Sequence, residues 1–443
     1  MKYLNRTADI LLKEKLDAFG AVLIEGPKWC GKTTTATQQA KSILALQDVD
    51  MQENYRKTAT VKPSILLKGE NPRLIDEWQD IPVLWDAVRN EVDKRGEAGL
   101  FILTGSNAVD QTKIKHTGTG RISRMKMYPM SLFESKESNG KISISELFNN
   151  PNLDIDGIES DLSVEDLVFA ACRGGWPISL NRKTDKAKLM IASDYIDSVC
   201  KSDISRIDGT KRNENIARLI IKSFARNIST LAKKSNILKD VRAQVETLAD
   251  NTMDDYLEAL EKLFVIENVE PWSPAIRSAS SIRKGLKLEF TDPSIAVAAL
   301  GLSPEMLNVD MKTFGFIFET LCIRDLRAYT QSLGGRMAYY HDRNDLEADG
   351  VLHLNDGRYA LIEFKLGSDD VEKGAEHLLK IKKLVKEYND KLIRNSEGNS
   401  EDNRLGAVGL LREPDLMMVV TGGKMAYRTE EGVNVIPIGC LKD

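Results

Sequence analysis

A glycine-bounded loop close to the N-terminus carries the residue types that bind phosphate. It reads Glu-Gly-Pro-Lys-Trp-Cys-Gly-Lys-Thr-Thr over residues 25–34. An apolar run, 21–24, comes before it, and a helix-compatible segment, 34–44, comes after it. Strand, loop and helix in that order are the context in which a phosphate-binding loop works. The sequence therefore predicts a nucleotide-binding site.

Each type of residue in this loop has its own expected role. The glycines let the backbone turn so that successive amides point at phosphate oxygens, and the helix N-terminus adds partial positive charge. We expect Lys32 to reach the β- and γ-phosphates of ATP and the Thr33 hydroxyl to hold Mg²⁺, whereas Cys30 needs to supply only its backbone. The predicted nucleotide-binding residues are Gly26, Pro27, Lys28, Trp29, Cys30, Gly31, Lys32, Thr33 and Thr34.

Two adjacent acids, Asp76 and Glu77, end the next apolar stub. Asp76 would hold Mg²⁺ through water, and Glu77 would orient and polarise the water that attacks ATP. Two acids after a strand are often ordinary surface residues, but their place downstream of the phosphate loop, at parallel-strand spacing, favours hydrolysis. A later apolar strand, 100–103, leads to Thr104 and Ser106. Either could contact the γ-phosphate or the attacking water, or could simply form a turn.

A basic stretch, 112–126, has no acidic residue. Its lysines and arginines are Lys113, Lys115, Arg121, Arg124 and Lys126. One interpretation is that Arg121 or Arg124 stabilises the charge on the transferring phosphoryl group, in its own chain or from a neighbouring subunit. A patch for the DNA backbone and a solvated basic loop are the two alternatives.

The segments above resemble those of the AAA+-superfamily ATPases of bacteria and archaea that carry a C-terminal domain of unknown function. The resemblance rests on the phosphate loop, on 74–79 followed by Pro82, on 103–106, and on Gly120-Arg121 followed by 128–134. It covers essentially the whole chain, with mild departures at Trp78 and at Leu132-Phe133. The resemblance implies a P-loop ATPase domain and, by analogy, self-association.

Length and composition exclude several classes of protein. A chain of 443 residues can form two or three domains, and 42% hydrophobic with 29% charged residues is typical of a soluble globular protein. A net charge of -4 argues against a wholesale polyanion binder, so any nucleic-acid contact needs a local basic patch. The N-terminus lacks the apolar core of a signal peptide, no stretch approaches the ~20 apolar residues of a membrane span, and the cysteines are scattered. We expect a cytoplasmic protein without membrane contact.

The middle of the chain has the order of elements of a winged helix. A short helix and turn at 229–236 and a helix at 252–260 come before two strands, 263–269 and 287–292. A Ser-rich segment between the strands would form the wing, where cations could contact phosphate. Those cations are Arg277, Arg283 and Lys284. The helix at 252–260 is acidic and would repel DNA, so we favour a winged helix that packs on protein, with DNA contact through the wing as the alternative.

The C-terminal third predicts a hairpin that brings acids and a lysine to one place. Two strands flank an Asn-Asp-Gly turn at 355–357. Asp349 lies on the first strand, and alternation puts Glu363 and Lys365 on one face of the second. Carboxylates on adjacent strands can bind Mg²⁺ and lower the pKa of a bound water, with Lys365 orienting that water and a helix acid such as Glu319 completing the site.

This pattern resembles the PD-(D/E)XK nuclease-like fold. There are departures, because Gly350 follows Asp349 and no proline precedes it. His377, on the helix that follows, could face the site or the solvent. Whether such a domain cleaves nucleic acid or only keeps the fold stays open at this point.

The predicted fold is α/β, in three domains. These are an AAA+-like P-loop ATPase domain with a parallel sheet (1–134), a helical linker and winged-helix domain (135–300), and a restriction-endonuclease-like α/β domain (301–443). Two functions follow from different classes. The first is a Mg²⁺-dependent ATPase whose cycle controls a nuclease-like, DNA-processing module. The second is a slow nucleotide-dependent switch whose C-terminal domain is a non-catalytic platform for protein or DNA. The expected ligands are ATP and Mg²⁺; DNA, a protein partner and a homo-oligomer remain open.

Overall fold

The computed structural model describes residues 3–107, 114, 116–275, 285–397 and 409–443. The chain forms two compact units, and each is described by itself. Unit 1 comprises Met1–Ser135, Arg173–Ile221 and Val241–Glu267; unit 2 comprises Lys136–Cys172, Lys222–Asp240 and Asn268–Asp443. The three predicted domains stay a prediction. Among the described residues, no helix has the length and apolar character that crossing a membrane requires.

The regular elements follow in chain order. In the first part they are α1 (Thr7–Ala18), β1 (Ala21–Glu25), α2 (Lys32–Gln39), β2 (Ser42–Ala45), α3 (Gln52–Val61), β3 (Arg73–Asp76), α4 (Val83–Arg95), β4 (Phe101–Gly105), β5 (Ile122–Lys126), β6 (Ile142–Ser143), α5 (Ile144–Asn149), α6 (Val164–Arg173) and α7 (Asp185–Ser198). The rest are α8 (Ile204–Arg206), α9 (Glu214–Arg226), α10 (Lys234–Arg242), α11 (Asp250–Lys262), β7 (Glu270–Pro271), α12 (Pro293–Leu300), α13 (Pro304–Val309), α14 (Met311–Ser332), β8 (Gly335–His341), β9 (Glu347–Leu354), β10 (Tyr359–Lys365), α15 (Val371–Glu397), β11 (Leu416–Thr421), β12 (Tyr427–Arg428), β13 (Asn434–Pro437) and β14 (Leu441–Lys442). A π-helical segment, Val199–Asp203, continues α7.

Unit 1 is built on a five-stranded sheet in the order β2-β3-β4-β1-β5. All of its neighbouring strands are parallel. Parallel strands are covered by helices on both faces and therefore consist of nearly continuous apolar residues. The carboxyl ends of β1, β3 and β4 lie at the same edge, with β4 between the other two. This order confirms the expected parallel α/β sheet and its central strand.

Alternation along the strands feeds two cores on opposite faces of this sheet. Leu23 and Leu103 belong to one core, together with Trp85 of α4. Val22 of β1 belongs to the other core, together with Leu12 of α1. Because successive side chains of a strand point to opposite faces, one apolar run supplies both cores.

A buried ion pair joins the start of unit 1 to the segment after β5. Arg6 Nε lies 3.1 Å from Glu134 Oε1, with 4% and 2% of the two side chains exposed. The carboxylate also accepts hydrogen bonds from the Thr7 N–H at 2.7 Å and the Ser131 N–H at 2.8 Å. Burial alone would raise the pKa of Glu134, but Arg6 and these donors outweigh it and hold the pKa below its ordinary value.

The same arginine contacts the phosphate loop. Arg6 Nη1 donates to the Cys30 carbonyl oxygen and Nη2 to that of Tyr128, both at 2.8 Å. Arg6 therefore ties the loop to the segment 128–134, which was one part of the family resemblance. The segment contacts Arg6 through the carbonyl oxygen of Tyr128 and the carboxylate of Glu134, and both contacts are structural.

Unit 2 is built on a seven-stranded mixed sheet in the order β12-β13-β11-β10-β9-β8-β7. The strands β8, β9 and β10 are antiparallel neighbours, whereas β10, β11 and β13 run parallel. The predicted hairpin is present as β9 and β10, with Gly357 at φ +88° in its turn. The long helices α14 and α15 pack on this sheet. Antiparallel strands joined by a tight turn and a parallel strand reached through a helix follow the usual rules of connection.

The winged helix predicted for the middle of the chain is not confirmed. Helix α11 is present as expected, but among the described residues the two expected strands show isolated bridge residues, such as the pair Val269 and Lys287, in place of a continuous ladder. Phe264 has φ +56° and Ser229 has φ +58°. At Phe264 the left-handed backbone interrupts an extended strand. At Ser229 it prevents a helix from starting, and α10 begins only at Lys234. The predicted wing residues Arg277, Arg283 and Lys284 lie outside the described residues.

We predict that Glu134→Gln destabilises the protein by about 3–5 kcal/mol at pH 7, because it leaves the Arg6 guanidinium buried and without an anionic partner. The pKa of Glu134 is lowered in the folded state. Its contribution is therefore complete above the unfolded pKa of about 4.3 and is lost as pH falls through the folded pKa. Urea unfolding at several pH values should show the difference from wild type shrinking below about pH 4.

The matched control is Glu14→Gln, which neutralises an exposed acid on α1. Exposed substitutions of this kind usually change stability by no more than about 0.5 kcal/mol. A change for Glu134→Gln as small as that of the control would show that the buried pair does not stabilise unit 1.

Candidate functional site

The predicted strand, loop and helix surround the phosphate loop in unit 1. Strand β1 ends at Glu25 and α2 begins at Lys32. Gly26 has φ +152° and Gly31 has φ +104°, a region of backbone that favours glycine. A Cβ built at Gly26 would lie 2.2 Å from the Met127 carbonyl oxygen. The close approach of two backbone segments therefore requires glycine at this position.

The ammonium group of Lys32 is buried inside the loop. Its Nζ donates hydrogen bonds to the carbonyl oxygens of Gly26 and Pro27, at 2.9 and 2.8 Å. Only 5% of the residue is exposed. Carbonyl oxygens satisfy a buried ammonium group without neutralising it, so its full positive charge remains at the loop.

Four of the predicted side chains meet at the carboxyl ends of β3 and β4. Asp76 Oδ1 accepts hydrogen bonds from Thr33 Oγ1 at 2.7 Å and from Thr104 Oγ1 at 2.6 Å. The Thr104 hydroxyl oxygen accepts in turn from the Glu77 N–H, at 3.1 Å. This meeting follows from the strand order, because β4 lies between β1 and β3.

The carboxylate of Glu77 is held by the side chains of Gln79 and Ser106. Its Oε2 accepts hydrogen bonds from Gln79 Nε2 and, at 3.3 Å, from Ser106 Oγ. The two hydroxyls that the sequence offered as alternatives are therefore both present, Thr104 on Asp76 and Ser106 on Glu77. Glu77 has φ +54°, and a non-glycine residue in this region costs about 1–3 kcal/mol, a strain that is concentrated at functional sites.

The oxygens around Asp76 fit a magnesium ion. The Thr33 hydroxyl and the Asp76 carboxylate lie side by side, and Mg²⁺ prefers hard oxygen ligands with room for water. Thr33 is exposed at the first turn of α2. These two residues are the ones in this site that could hold the ion together with a bound phosphate.

A cavity of about 850 Å³ opens in front of the phosphate loop. Ligand sites of this kind usually enclose about 300–1,000 Å³. The loop and the residues around Glu77 line one side, and residues of the segment 177–207, which also belongs to unit 1, line the other. Sequence analysis assigned no chemical role to that segment, so six lining residues were missed: Pro177, Ile178, Asn181, Asp203, Arg206 and Ile207.

An ion pair connects the phosphate loop with the far side of this cavity. Lys28 Nζ lies 2.6 Å from Asp203 Oδ1, with 38% and 5% of the side chains exposed. The neighbouring Trp29 has φ +66°, and its ring meets that of Tyr195 edge-on at 5.6 Å. Asp203 and Ile204 resemble a segment of the family named above, and that resemblance is a signal in the sequence that could have identified Asp203.

The two arginines predicted as phosphoryl-stabilising residues lie away from the loop of their own chain. Strand β5 is parallel to β1, so Arg121, just before β5, lies at the edge opposite the phosphate loop. Its Nε donates to Asp93 Oδ1 at 2.7 Å, and the Arg124 guanidinium lies 5.6 Å from the Trp85 ring centroid. A role for Arg121 in its own chain therefore has no geometric basis, whereas Arg124 packs against Trp85 and its role stays a prediction. A role in a neighbouring subunit stays a prediction, and Lys113 and Lys115 lie outside the described residues.

In unit 2, the predicted acids and lysine are brought together. Lys365 Nζ on β10 lies 2.5 Å from Glu363 Oε2 and 3.6 Å from Asp349 Oδ2 on β9. Glu319 comes from α14, and its Oε1 contacts the ammonium group of Lys287. Lys287 Nζ also lies 3.7 Å from Asp349 Oδ1. We call these five residues the acid–lysine cluster. Lys287 is the member that the sequence did not predict.

The charges of this cluster are set by burial and by one another. Burial would lower the pKa of Lys287, but Glu319 and Asp349 outweigh it and raise the pKa. Burial would raise the pKa of Asp349, but Lys287 and Lys365 outweigh it and lower the pKa. Burial, with a further contribution from Asp349, raises the pKa of Glu363 to about 8. Two protonated lysines therefore lie among the acids.

His377 faces this cluster, which was the less expected of its two placements. Its Nδ1 lies 3.5 Å from Glu363 Oε1. Burial, followed by the charge of Lys365, lowers the pKa of His377, so the imidazole is neutral near pH 7. Over the part of the chain that the structure describes, no group of three or more His, Cys, Asp or Glu side chains is arranged to hold a metal ion.

Three family models match successive parts of the chain. A model described as an AAA domain matches residues 18–136. A model described as a domain of unknown function (DUF8612) matches residues 164–306, and another such model (DUF4143) matches residues 314–441. No curated protein matches the chain. Residues 18–136 are an AAA-like P-loop ATPase domain.

Two solved structures are similar to part of this one. A Walker-type ATPase of Pyrococcus abyssi is 13% identical, with a TM-score of 0.40, and the match covers 67% of this chain and 96% of that chain. A signal-transduction ATPase with numerous domains and a tetratricopeptide repeat sensor, from Pyrococcus horikoshii, is 12% identical, with a TM-score of 0.24. That match covers 74% of this chain and 48% of the other.

We predict that Asp203→Asn strengthens ATP binding to the AAA-like domain several-fold. The Lys28 ammonium group cannot pair fully with Asp203 and with a phosphate at once, and the aspartate also repels the phosphates. Removing one charge a few ångströms away is worth about 1 kcal/mol at a partly exposed site, or roughly fivefold in Kd. The measurement is titration of a fluorescent ATP analogue, with Asp194→Asn, an exposed acid of α7, as the control. Weaker binding by Asp203→Asn would show that Asp203 supports the loop instead of competing with ATP.

Proposed function

We propose that this chain is a Mg²⁺-dependent ATPase whose hydrolytic site consists of Thr33, Asp76, Glu77 and Thr104. The single observation that carries the proposal is the shared carboxylate of Asp76. It accepts from the threonine of the phosphate loop on one side and from the threonine of the central strand on the other. The proposal is supported because an oxygen suited to a metal ion, the glycine-bounded loop and a second acid belong to one hydrogen-bond network.

Each residue of the chain then has a separable task. The loop amides and Lys32 bind the β- and γ-phosphates, because the carbonyl oxygens of Gly26 and Pro27 hold the ammonium group of Lys32 in place before phosphate arrives. Thr33 and Asp76 would hold Mg²⁺, which would supply positive charge against the charge that develops on the phosphoryl group. Glu77 accepts a hydrogen bond from the attacking water and aligns it, and Thr104 fixes the direction of Asp76.

For unit 2 we propose a binding module that does not cleave nucleic acid. The observation that favours this is the second lysine of the acid–lysine cluster, which pairs with the acids that a nuclease would use for a metal ion. The expected control of a DNA-cleaving module therefore has no support in this arrangement. Titration of labelled DNA with the full-length chain tests whether the module binds DNA.

A slow nucleotide-dependent switch is the second candidate for the whole chain. The observation that favours it is the engagement of Glu77, whose Oε2 is held by Gln79 and Ser106. Two donors on one oxygen hold the carboxylate in a single orientation, and the switch requires that this orientation differs from the one that aligns water. Turnover far below ~1 s⁻¹, unchanged by DNA, would favour the switch.

We predict that Lys32→Ala abolishes ATP binding, whereas Glu77→Gln binds ATP and loses hydrolysis by a factor on the order of 100 or more. The first change removes the buried charge that meets the phosphates, and the second removes the proton acceptor at the attacking water. Binding is measured by calorimetry and hydrolysis by phosphate release, with Glu14→Gln as the control for a neutralised acid. Equal turnover in wild type and Glu77→Gln would remove Glu77 from the mechanism.

The variant Gln79→Ala separates the two candidates. It releases one of the two contacts that hold the Glu77 carboxylate, so turnover should rise if that contact limits the rate. A rise of several-fold, lost again in Glu77→Gln/Gln79→Ala, would support the switch, and an unchanged or lower rate would support steady hydrolysis.

A further inference from the structure

We propose that the ammonium group of Lys287 is the resident cation of the acid–lysine cluster, and that it excludes a divalent metal ion which the three acids would otherwise bind. The predicted metal site and the observed structure disagree on this point. The disagreement concerns unit 2 alone and is independent of ATP hydrolysis in unit 1.

The position of Lys287 is the first observation. Its Nζ contacts Glu319 Oε1 and lies 3.7 Å from Asp349 Oδ1 and 3.4 Å from the Asp349 carbonyl oxygen. A divalent ion shared by these two carboxylates needs oxygens at about 2.0–2.6 Å. The ammonium group lies between the same oxygens, so lysine and metal ion compete for one volume.

The charge of the cluster is the second observation. When all three acids are ionised, as metal binding requires, Glu319, Asp349 and Glu363 carry three negative charges, and Lys365 pairs with two of these acids. Without Lys287 the net charge of the cluster is then −2, three acids less one lysine, and one divalent cation neutralises it. With Lys287 in place, a divalent cation would leave excess positive charge in a buried site, which is costly.

An orphaned acceptor is the third observation. Glu363 is 1% exposed, and its Oε1 has no hydrogen-bond partner among the described residues, with His377 Nδ1 at 3.5 Å. A buried carboxylate oxygen without a donor costs free energy unless a proton or a cation satisfies it. The three acids thus keep oxygens that could bind a metal ion, although the cation now present among them is the ammonium group of Lys287.

The backbone fixes Lys287 at this position. Its N–H and C=O exchange hydrogen bonds with Val269, at 3.0 and 2.9 Å. The next N–H, that of Leu288, donates to the Thr230 carbonyl oxygen at 2.9 Å. Lys287 is 7% exposed. A buried lysine on a hydrogen-bonded backbone does not leave its place through side-chain motion alone, so exclusion of the metal ion is a property of the resting fold.

The test is a titration of the full-length chain with Mn²⁺ in the absence of nucleotide. Electron paramagnetic resonance measures the Mn²⁺ that remains free. All variants carry Asp76→Asn, so that only unit 2 is titrated. We expect no binding below about 1 mM with Lys287 present. Lys287→Met, which keeps the length and removes the charge, should bind one Mn²⁺ at least tenfold more tightly, and Lys287→Met/Asp349→Asn should lose that binding. Lys386→Met, an exposed lysine of α15, is the matched control.

Two outcomes would overturn the proposal. One is Mn²⁺ binding with Lys287 present that is as tight as in Lys287→Met. The other is a folded Lys287→Met chain, by circular dichroism, that binds no more tightly than the control. Should Lys287→Met fail to fold alone, millimolar Mn²⁺ during refolding should restore it, because the metal ion replaces the missing cation; failure to do so also counts against the proposal. Lys287→Arg, which keeps a cation, should behave as the parent does.

Discussion

The buried pair of Arg6 and Glu134 is the interaction on which the nucleotide site depends. One guanidinium group pairs with the carboxylate and donates to the carbonyl oxygens of Cys30 and Tyr128. The first of these carbonyls belongs to the phosphate loop, so the loop is held from outside by a charged group that cannot easily be replaced. This support holds the loop in the conformation in which its amides face a phosphate, so the loop does not have to be ordered when the ligand binds. The same constraint explains why a glycine is required at Gly26, where the loop meets the backbone of Met127.

The parallel sheet then decides which side chains can meet. Since β4 lies between β1 and β3, the acid at the end of β3 accepts from a hydroxyl at the end of β4 and from a hydroxyl of the helix that follows β1. Arg121 shows the reverse case. It comes before a parallel strand instead of after it, and therefore lies at the wrong edge for the phosphate loop of its own chain. Strand direction thus distinguishes Asp76 and Thr104, which lie beside the phosphate loop, from Arg121, which does not. The sequence alone does not make this distinction.

The parts of the fold and of the site that the sequence predicts are the local ones. The phosphate loop, the two acids with Thr104, and the β9–β10 hairpin are each defined within a few residues by glycine, alternation and turn chemistry. Asp203 and Lys287 were not predicted as site residues, because each reaches its partner from a distant part of the chain and is an ordinary charged residue in its own segment. The expected winged helix is not confirmed, for a related reason. A single left-handed residue, Phe264, interrupts the first strand, and nothing in the apolar pattern of 263–269 announces that conformation.

Both units hold a lysine against an acid where a ligand charge would go, and burial separates the two cases. Lys28 is 38% exposed beside Asp203, so its ammonium group can change partner through water at little cost. Lys287 is 8% exposed beside Glu319, and removing it from that acid would leave two unpaired charges in a site without enough water to solvate them. The first pair can therefore yield to an arriving phosphate within a binding equilibrium of ordinary size. The second resists exchange, and a cation could replace it only if unit 2 first paid the free energy of breaking the bridge between Val269 and Lys287. One kind of contact thus produces a responsive site in unit 1 and a closed one in unit 2.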